Sequence, residues 1–355
     1  LKDAAGELRP NVVHALGRLG RPEHGPLVAP LLEDSVDDVR LAAVRLLGEL
    51  GCRTYAGAVS KHLGHPDPAH RLAALTSLAD MGARDFAAPV AERLGDAQFL
   101  VRWEAARALG RLRASEHATA VIALLQDEGA EPPVIEAIGA LGRRDSAPHL
   151  LSYLEHFDPG IRWRAVRALG QVDAFDDASR LVAALGDPED YVRLMAVRAL
   201  GGLGSRGSAG AVFERLRDPN TEVVHAALWE TLYLGGAAEQ KTLPGLLKHE
   251  DPVVREAALE LLSAGGRRES LPAVRTLLRD SDGAFRWRVV RALGRLGEDP
   301  AVLKEALAKG DPLTRPQAAF ALARVAPGET GPIEAVLKEA PVPLRLAAGF
   351  VLGRG

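Results

Sequence analysis

The sequence predicts an all-α fold, an α-solenoid or superhelix of about twelve two-helix units that runs as a single array over residues 1–355. Three observations carry this reading. The phrase V-R-x-x-A-x-x-A-L-G-x-L-G recurs every 31 residues or so, with its anchor at 9, 40, 71, 102, 131, 162, 193, 225, 255, 286, 315 and 345. Ten of these anchors are Arg, with Glu131 and His225 as stand-ins, so chemistry and spacing are kept together down the chain. No segment alternates apolar and polar residues as a half-buried strand would. A unit this short cannot bury a core alone, so its neighbours must complete it.

The elements of one unit follow in order, taking residues 176–204 as the example. Residues 176–185 space their apolar side chains as a helix (helix A) and stop at Gly186. Asp187-Pro188 then reads as a helix N-cap with proline at the first helical position, where a carboxylate accepts orphan N–H groups and proline has none to waste. From Val192, a stripe of Val192, Ala196, Ala199, Leu200 and Leu203 marks the buried face of helix B. Gly201 allows close approach, and Gly204 a left-handed stop. The D-P signal stands at 67, 158, 187, 218, 251 and 311, while Asp34, Asp96 and Asp280 hold the turn without proline.

These residues resemble HEAT repeats, specifically the bacterial phycobilin-lyase HEAT-like type. The resemblance rests on a turn Asp six residues before the helix-B Arg (Asp34–Arg40, Asp96–Arg102, Asp187–Arg193, Asp280–Arg286). It rests also on a proline fourteen residues before it (Pro26, Pro148, Pro272). It covers essentially the whole chain and implies a fold in which helix B lines the concave face. It implies little about function, because HEAT-like arrays serve as scaffolds, receptors, lyases and glycosylases alike.

Composition narrows the possibilities. Net charge is −3, so the chain as a whole does not attract nucleic acid electrostatically. The single cysteine, Cys52, excludes an internal disulfide framework and reads as a small buried residue. No run of 18 apolar residues is present, so no membrane insertion is expected, and the cytoplasm is the expected location. Both ends read as cut: Asp3 stands six before Arg9 with no helix A ahead of it, and the chain closes inside its last helix B. A continuing parent chain or a capping partner is the expectation.

The anchor Arg is expected to fork onto the turn Asp of its own or the adjoining repeat, a structural role rather than a site. Positions one and five after the anchor (+1 and +5) share a helix face. Trp103, Trp163 and Trp287 all stand at +1, each with an Arg at +5 (Arg107, Arg167, Arg291). Windows of twelve residues from anchors 102, 162 and 286 carry charges of +3, +2 and +4, whereas those from 131 and 255 carry −2 and −1. Two readings stay open. The row grips an acidic or extended partner through Trp contact area and Arg forks, or each Trp packs between helices B with its Arg on the indole or on an acid next door. The candidate partner-binding residues are Trp103, Arg107, Arg111, Trp163, Arg164, Arg167, Arg198, Trp287, Arg288 and Arg291.

Pro10, Pro132 and Pro316 at +1 require helix B to begin late in repeats one, five and eleven, and a change of curvature is expected near 128–136. Catalytic residues, cofactors and metal sites are expected to be absent. No Ser/His/Asp set or phosphate-binding glycine loop stands out, and His62, His65 and His70 read as solvated turn histidines lacking a carboxylate. Asp37-Asp38 and Asp176-Asp177 read as acids at helix starts.

A non-enzymatic scaffold for a protein partner is the leading reading, on a surface on the order of 100 Å long if twelve units stack at helix-packing distance. A nucleic-acid-binding protein of the alkylpurine-glycosylase type is the first alternative, and a bilin lyase or cofactor chaperone, implied by the resemblance alone, is the second.

Overall fold

The computed structural model describes residues 22–234, 243–264, 268–280, 283–328, 331 and 334, and among them there are helices and turns but no strand. The chain forms two compact units, one ending at Leu203 and one beginning at Gly204. In the first, the B helices are α1 (Asp37–Glu49), α2 (Pro68–Asp80), α3 (Phe99–Arg111), α4 (Glu131–Leu141), α5 (Pro159–Gln171) and α6 (Asp190–Gly202). In the second they are α7 (Thr221–Leu234), α8 (Pro252–Ala264), α9 (Gly283–Leu296) and α10 (Thr314–Val325). Within each unit every B helix packs on the next, so each unit is an α-solenoid of stacked repeats. Arg9, Pro10, Asp3 and Arg345 lie outside the described residues.

Helix A is less regular than its apolar spacing predicts. In the first unit it is a relay of short pieces, such as the 3-10 turn Arg53–Tyr55, the helix Ala56–Ser60 and the 3-10 turn Lys61–Gly64. The expected helix at 176–185 is a 3-10 turn, Phe175–Asp177, followed by helix Ala178–Ala184. In the second unit, Leu271–Asp280 and Pro300–Lys309 are continuous ten-residue helices.

The starts of helix B separate two kinds of turn. Asp67 and Asp158, four residues before their anchors, are N-caps that accept the N–H of Ala69 at 2.8 Å and of Gly160 at 2.7 Å, with Pro68 and Pro159 next in line. Asp187 is not an N-cap, contrary to expectation. It lies six residues before its anchor, α6 begins at Asp190, and the Asp187 carboxylate instead accepts the Glu189 N–H at 2.9 Å within the turn. The late starts expected from proline are present. Helix α4 begins at its anchor Glu131, three residues later than α1, α2 and α3 begin relative to theirs, and α10 begins one residue before Arg315.

Two small-residue positions set the stacking. The glycine at +8 faces the backbone of residue +6 in the next helix B. A Cβ on Gly139 would stand 2.9 Å from Ala168 Cα, and one on Gly110 would stand 3.1 Å from Ala137 Cα. In the second unit the same contact joins Gly294 to Ala321, at 2.8 Å. Position +11 then turns left-handed in repeat after repeat, at Gly51, Gly82, Gly142, Gly204 and Gly297, with φ between 60° and 75°. Arg113 (φ 52°) and Asp173 (φ 58°) occupy the same position without being glycine, at a backbone cost of about 1 kcal/mol each.

The anchor arginines form the expected ladder. Arg71 donates through Nε and Nη2 to Asp96 at 2.8 and 2.9 Å, while Nη1 donates to the carbonyls of His65 and Pro66 in its own turn. Arg162 repeats this on Asp187 at 2.7 and 2.8 Å, and Arg102 reaches Asp127 at 2.7 Å. In the second unit His225 Nε2 takes the place of the guanidinium and meets Asp251 at 2.9 Å. Each fork ties a helix start to the next repeat's turn and satisfies the carbonyls of its own turn. Burial alone would push the pKa of Asp96 up, but the Arg71 guanidinium and the Gln98 N–H hold it below the usual carboxylate value. At Asp187, Arg162 and the Glu189 N–H do the same.

A second ladder joins the A segments through Arg53–Asp85, Arg84–Glu116 and Arg144–Asp176. Its members are mostly exposed, so it contributes little to stability.

Two predictions follow from this packing. Gly139→Ala should lower stability by about 1–3 kcal/mol through overpacking against Ala168, whereas Asp173→Gly should raise it by about 0.5–1 kcal/mol, both read by denaturant unfolding. For the ladder, folded-state pKa values below the unfolded value of about 4 mean that its stability is fully present above that pH. It is lost as pH falls through the lower folded-state values. The difference in thermal midpoint between the wild type and Asp187→Asn, which isolates the ladder's contribution, should therefore be level between about pH 7 and pH 5 and shrink below about pH 4.

Candidate functional site

The three +1 tryptophans are half-buried, each on the face of its helix B. Phe99 meets the Trp103 ring edge-on at 4.8 Å between centroids, and the turn at Gly129 of the next repeat lies beneath that ring, within 3.7 Å of a Cβ placed there. Trp103 Nε1 is buried and has no acceptor among the described residues. Trp163 is held edge-on by Tyr191 at 5.2 Å and flanked by Arg164 and Arg167, whose guanidinium carbons stand 4.4 and 5.0 Å from the ring centroid. Trp287 repeats the arrangement with Arg288 at 4.4 Å and Arg291 at 5.3 Å. The +2 arginine is thus the nearer one in both cases.

Those arginines also meet acids from the preceding helix B. Glu136 on α4 accepts from Arg164 at 2.9 Å and lies 3.4 Å from Arg167. Glu256 on α8 accepts from Arg288 at 2.5 Å, and Glu260 accepts from Arg291 and, at 2.6 Å, from Arg295. Around Trp103, Glu104 accepts from Arg107 at 3.0 Å and from the Thr76 hydroxyl at 2.9 Å, and Asp80 accepts from Arg111. Arg198 is exposed and forms no ion pair among the described residues. The acidic windows at 131–142 and 255–266 therefore lie against the cationic helices that follow them.

The carboxylates Glu136, Glu256 and Glu260 are the neighbouring acids that the sequence reading offered as partners without naming them. The available signal was the order of the windows, each acidic one directly before a cationic one. The sequence reading missed Trp229 and Tyr233, 66% and 74% exposed on α7 at a four-residue spacing that puts both on one helix face.

The histidine reading is corrected. His70 is fully buried and His62 is 9% exposed, so neither is a solvated turn residue. A carboxylate is present too. Asp37, from the first turn of α1, meets His70 Nε2 at 3.2 Å and His65 Nε2 at 3.7 Å. The partner was hidden because it stands 33 residues away from His70, one repeat earlier. His62 and His70 face each other through their Nδ1 atoms at 3.1 Å, and the three rings stack. Burial pushes the pKa of both His62 and His70 below the ordinary histidine value, with the neighbouring histidines adding to the effect. Asp37, His65 and His70 bring one potential ligand atom each to within 4.8 Å of the others, the one such group among the described residues. Cys52 is buried as expected, and burial raises its thiol pKa.

A family model described as HEAT repeats matches residues 56–132, 133–190, 178–238 and 239–323. No curated protein matches the sequence. Among solved structures, an engineered protein is similar at 18% identity and TM-score 0.50, covering 85% of this chain and 98% of that one. The complex of CpcE and CpcF of phycocyanin lyase from Nostoc sp. PCC7120 is similar at 22% identity and TM-score 0.39, covering 67% and 93%. YibA from Escherichia coli is similar at 17% identity and TM-score 0.46, covering 78% and 96%. At these identities the structural likeness speaks to the fold alone.

Because Arg164, Arg167 and Glu136 are all partly exposed, Glu136→Ala should lower stability by no more than about 1 kcal/mol. A loss several times larger in denaturant unfolding would identify the Trp163 cluster as core rather than surface.

Proposed function

Because this chain belongs to the HEAT-repeat family, we propose that it is a non-enzymatic scaffold that binds a protein partner through the tryptophan and arginine row of its B helices. The observation that carries the reading is positional. Most of helix B is committed to stacking, to the anchor fork or to the left-handed stop, whereas in the repeats anchored at 102, 162 and 286 positions +1, +2 and +5 are half-buried or exposed and carry a Trp at +1 and an Arg at +5. In the first unit this row comprises Trp103 and Arg107 on α3, with Arg111 one turn further along that helix, Trp163, Arg164 and Arg167 on α5, and Arg198 on α6. Helices α3 and α5 are two stacking steps apart, about 20 Å at ordinary helix spacing. In the second unit the row is Trp287, Arg288 and Arg291 on α9.

An extended acidic segment suits the row. Its carboxylates would exchange with Glu136 or Glu104 on guanidinium groups already held in place by an indole, which lowers the ordering cost of binding. The paired acids disfavour a nucleic-acid ligand, because much of the positive charge is neutralised within the protein before any phosphate arrives. No described helix is long and apolar enough to cross a membrane.

The test is affinity capture with the purified chain and with W103A/W163A/W287A, read by quantitative mass spectrometry at moderate salt. Proteins enriched with acidic segments on the wild type should fall at least tenfold on the triple variant. Retention of every partner would make the row structural. Filter binding at low salt should show no retention of duplex or single-stranded DNA at micromolar protein, and bilin should show no absorption shift.

A further inference from the structure

The histidine cluster between repeats two and three is used by neither the anchor ladder nor the tryptophan row. After Arg71, Arg102 and Arg162 the residue 25 positions on is an Asp that accepts from the guanidinium, at Asp96, Asp127 and Asp187. After Arg40 that position is His65, and Arg40 turns instead onto Asp37 of its own helix. A fully buried histidine, His70, completes the group from the first turn of α2.

We propose that Asp37, His65 and His70 form a binding site for a divalent transition metal of the zinc class, with His62 orienting His70. Two imidazoles and one carboxylate are the donor set for Zn2+, Co2+ or Ni2+, whereas Mg2+ and Ca2+ require oxygen shells. Ligand atoms about 2.0–2.1 Å from a tetrahedral zinc stand roughly 3.4 Å from one another. His70 Nε2 stands 3.2 Å from Asp37 Oδ2 and His65 Nε2 3.7 Å from Asp37 Oδ1, and one ligand atom from each of the three residues lies within 4.8 Å of the others, so small side-chain rotations would close the set on an ion. Asp37 is 47% exposed on its side chain, so an ion can enter and a water can fill the fourth position. Arg40 on one Asp37 oxygen and His62 on His70 supply the outer contacts that fix metal ligands.

The protons balance. Without metal, His70 Nε2–H donates to the ionised Asp37, so His70 Nδ1 accepts from His62 Nδ1–H. When a metal takes the His70 Nε2 lone pair, His70 carries its proton on Nδ1 and donates to His62, whose own proton moves to Nε2. His65 Nδ1 accepts the Asp67 N–H at 3.1 Å, so its proton stands on Nε2. Metal binding moves that proton to Nδ1 and opens the turn bond, which couples the ion to the start of α2. His156 and His249 make the same turn bond, each at 3.1 Å, without belonging to such a donor group. They are internal controls.

The test uses the full chain without an affinity tag, stripped with chelator and titrated with Co2+. One Co2+ per chain should bind with the visible ligand-field absorption of a four-coordinate site and be displaced by Zn2+. Asp37→Asn and His65→Ala, both at partly exposed positions, should each weaken binding at least tenfold, and H156A/H249A should leave it unchanged. Absence of the band and of binding heat at micromolar metal, or an affinity that D37N and H65A leave intact, overturns the proposal.

Discussion

Everything in this fold depends on how closely one helix B can approach the next. The glycine at +8 removes the Cβ that would strike residue +6 of the neighbour, and at Gly139 that clearance is complete to the backbone of Ala168. Only at such separation can the anchor guanidinium reach a carboxylate 25 residues ahead while holding the carbonyls of its own turn. The apolar stripe supplies most of the free energy of stacking, but it is indifferent to register. The glycine contact and the forked ion pair supply the register, one by excluding bulk and the other by requiring a fixed donor geometry.

The same separation explains the electrostatics of the surface. Glu136 and Arg164 belong to different repeats, and so do Glu260 and Arg291, yet each pair is within hydrogen-bonding distance. Charge that looks segregated along the chain is largely matched between adjacent helices. What is left is an aromatic ring with two guanidinium groups against it, at Trp163 and again at Trp287. That arrangement is both packed and partly accessible. The packing keeps the arginines in position, and the accessibility is what a partner would use.

The framework was legible because its determinants recur at fixed intervals. The anchor at 71, 102 and 162, the Asp 25 residues later and the late start of α4 at Glu131 all follow from spacing and from proline. The left-handed position was legible at Gly51, Gly82 and Gly142 and concealed at Arg113 and Asp173, where only the register betrays it. The breakup of helix A was not legible, since short apolar runs fit 3-10 and α geometry equally. The buried state of His70 was hidden for another reason. A D-P turn beside it implies solvent, and its carboxylate partner comes from the repeat before. Reading one repeat at a time loses whatever two repeats make together.

That interdependence limits how such an array can be edited over evolutionary time. Removing residues 131–161 as one block would rejoin two B helices with their phases intact, and yet Trp163 would inherit a different neighbour, with Ala106, Arg107 and Arg111 where Ile135, Glu136 and Ala140 had stood. Its two guanidinium groups would then confront cations. The heritable module around Trp163 and around Trp287 is therefore a couplet, in which the acidic helix matters as much as the cationic one it faces.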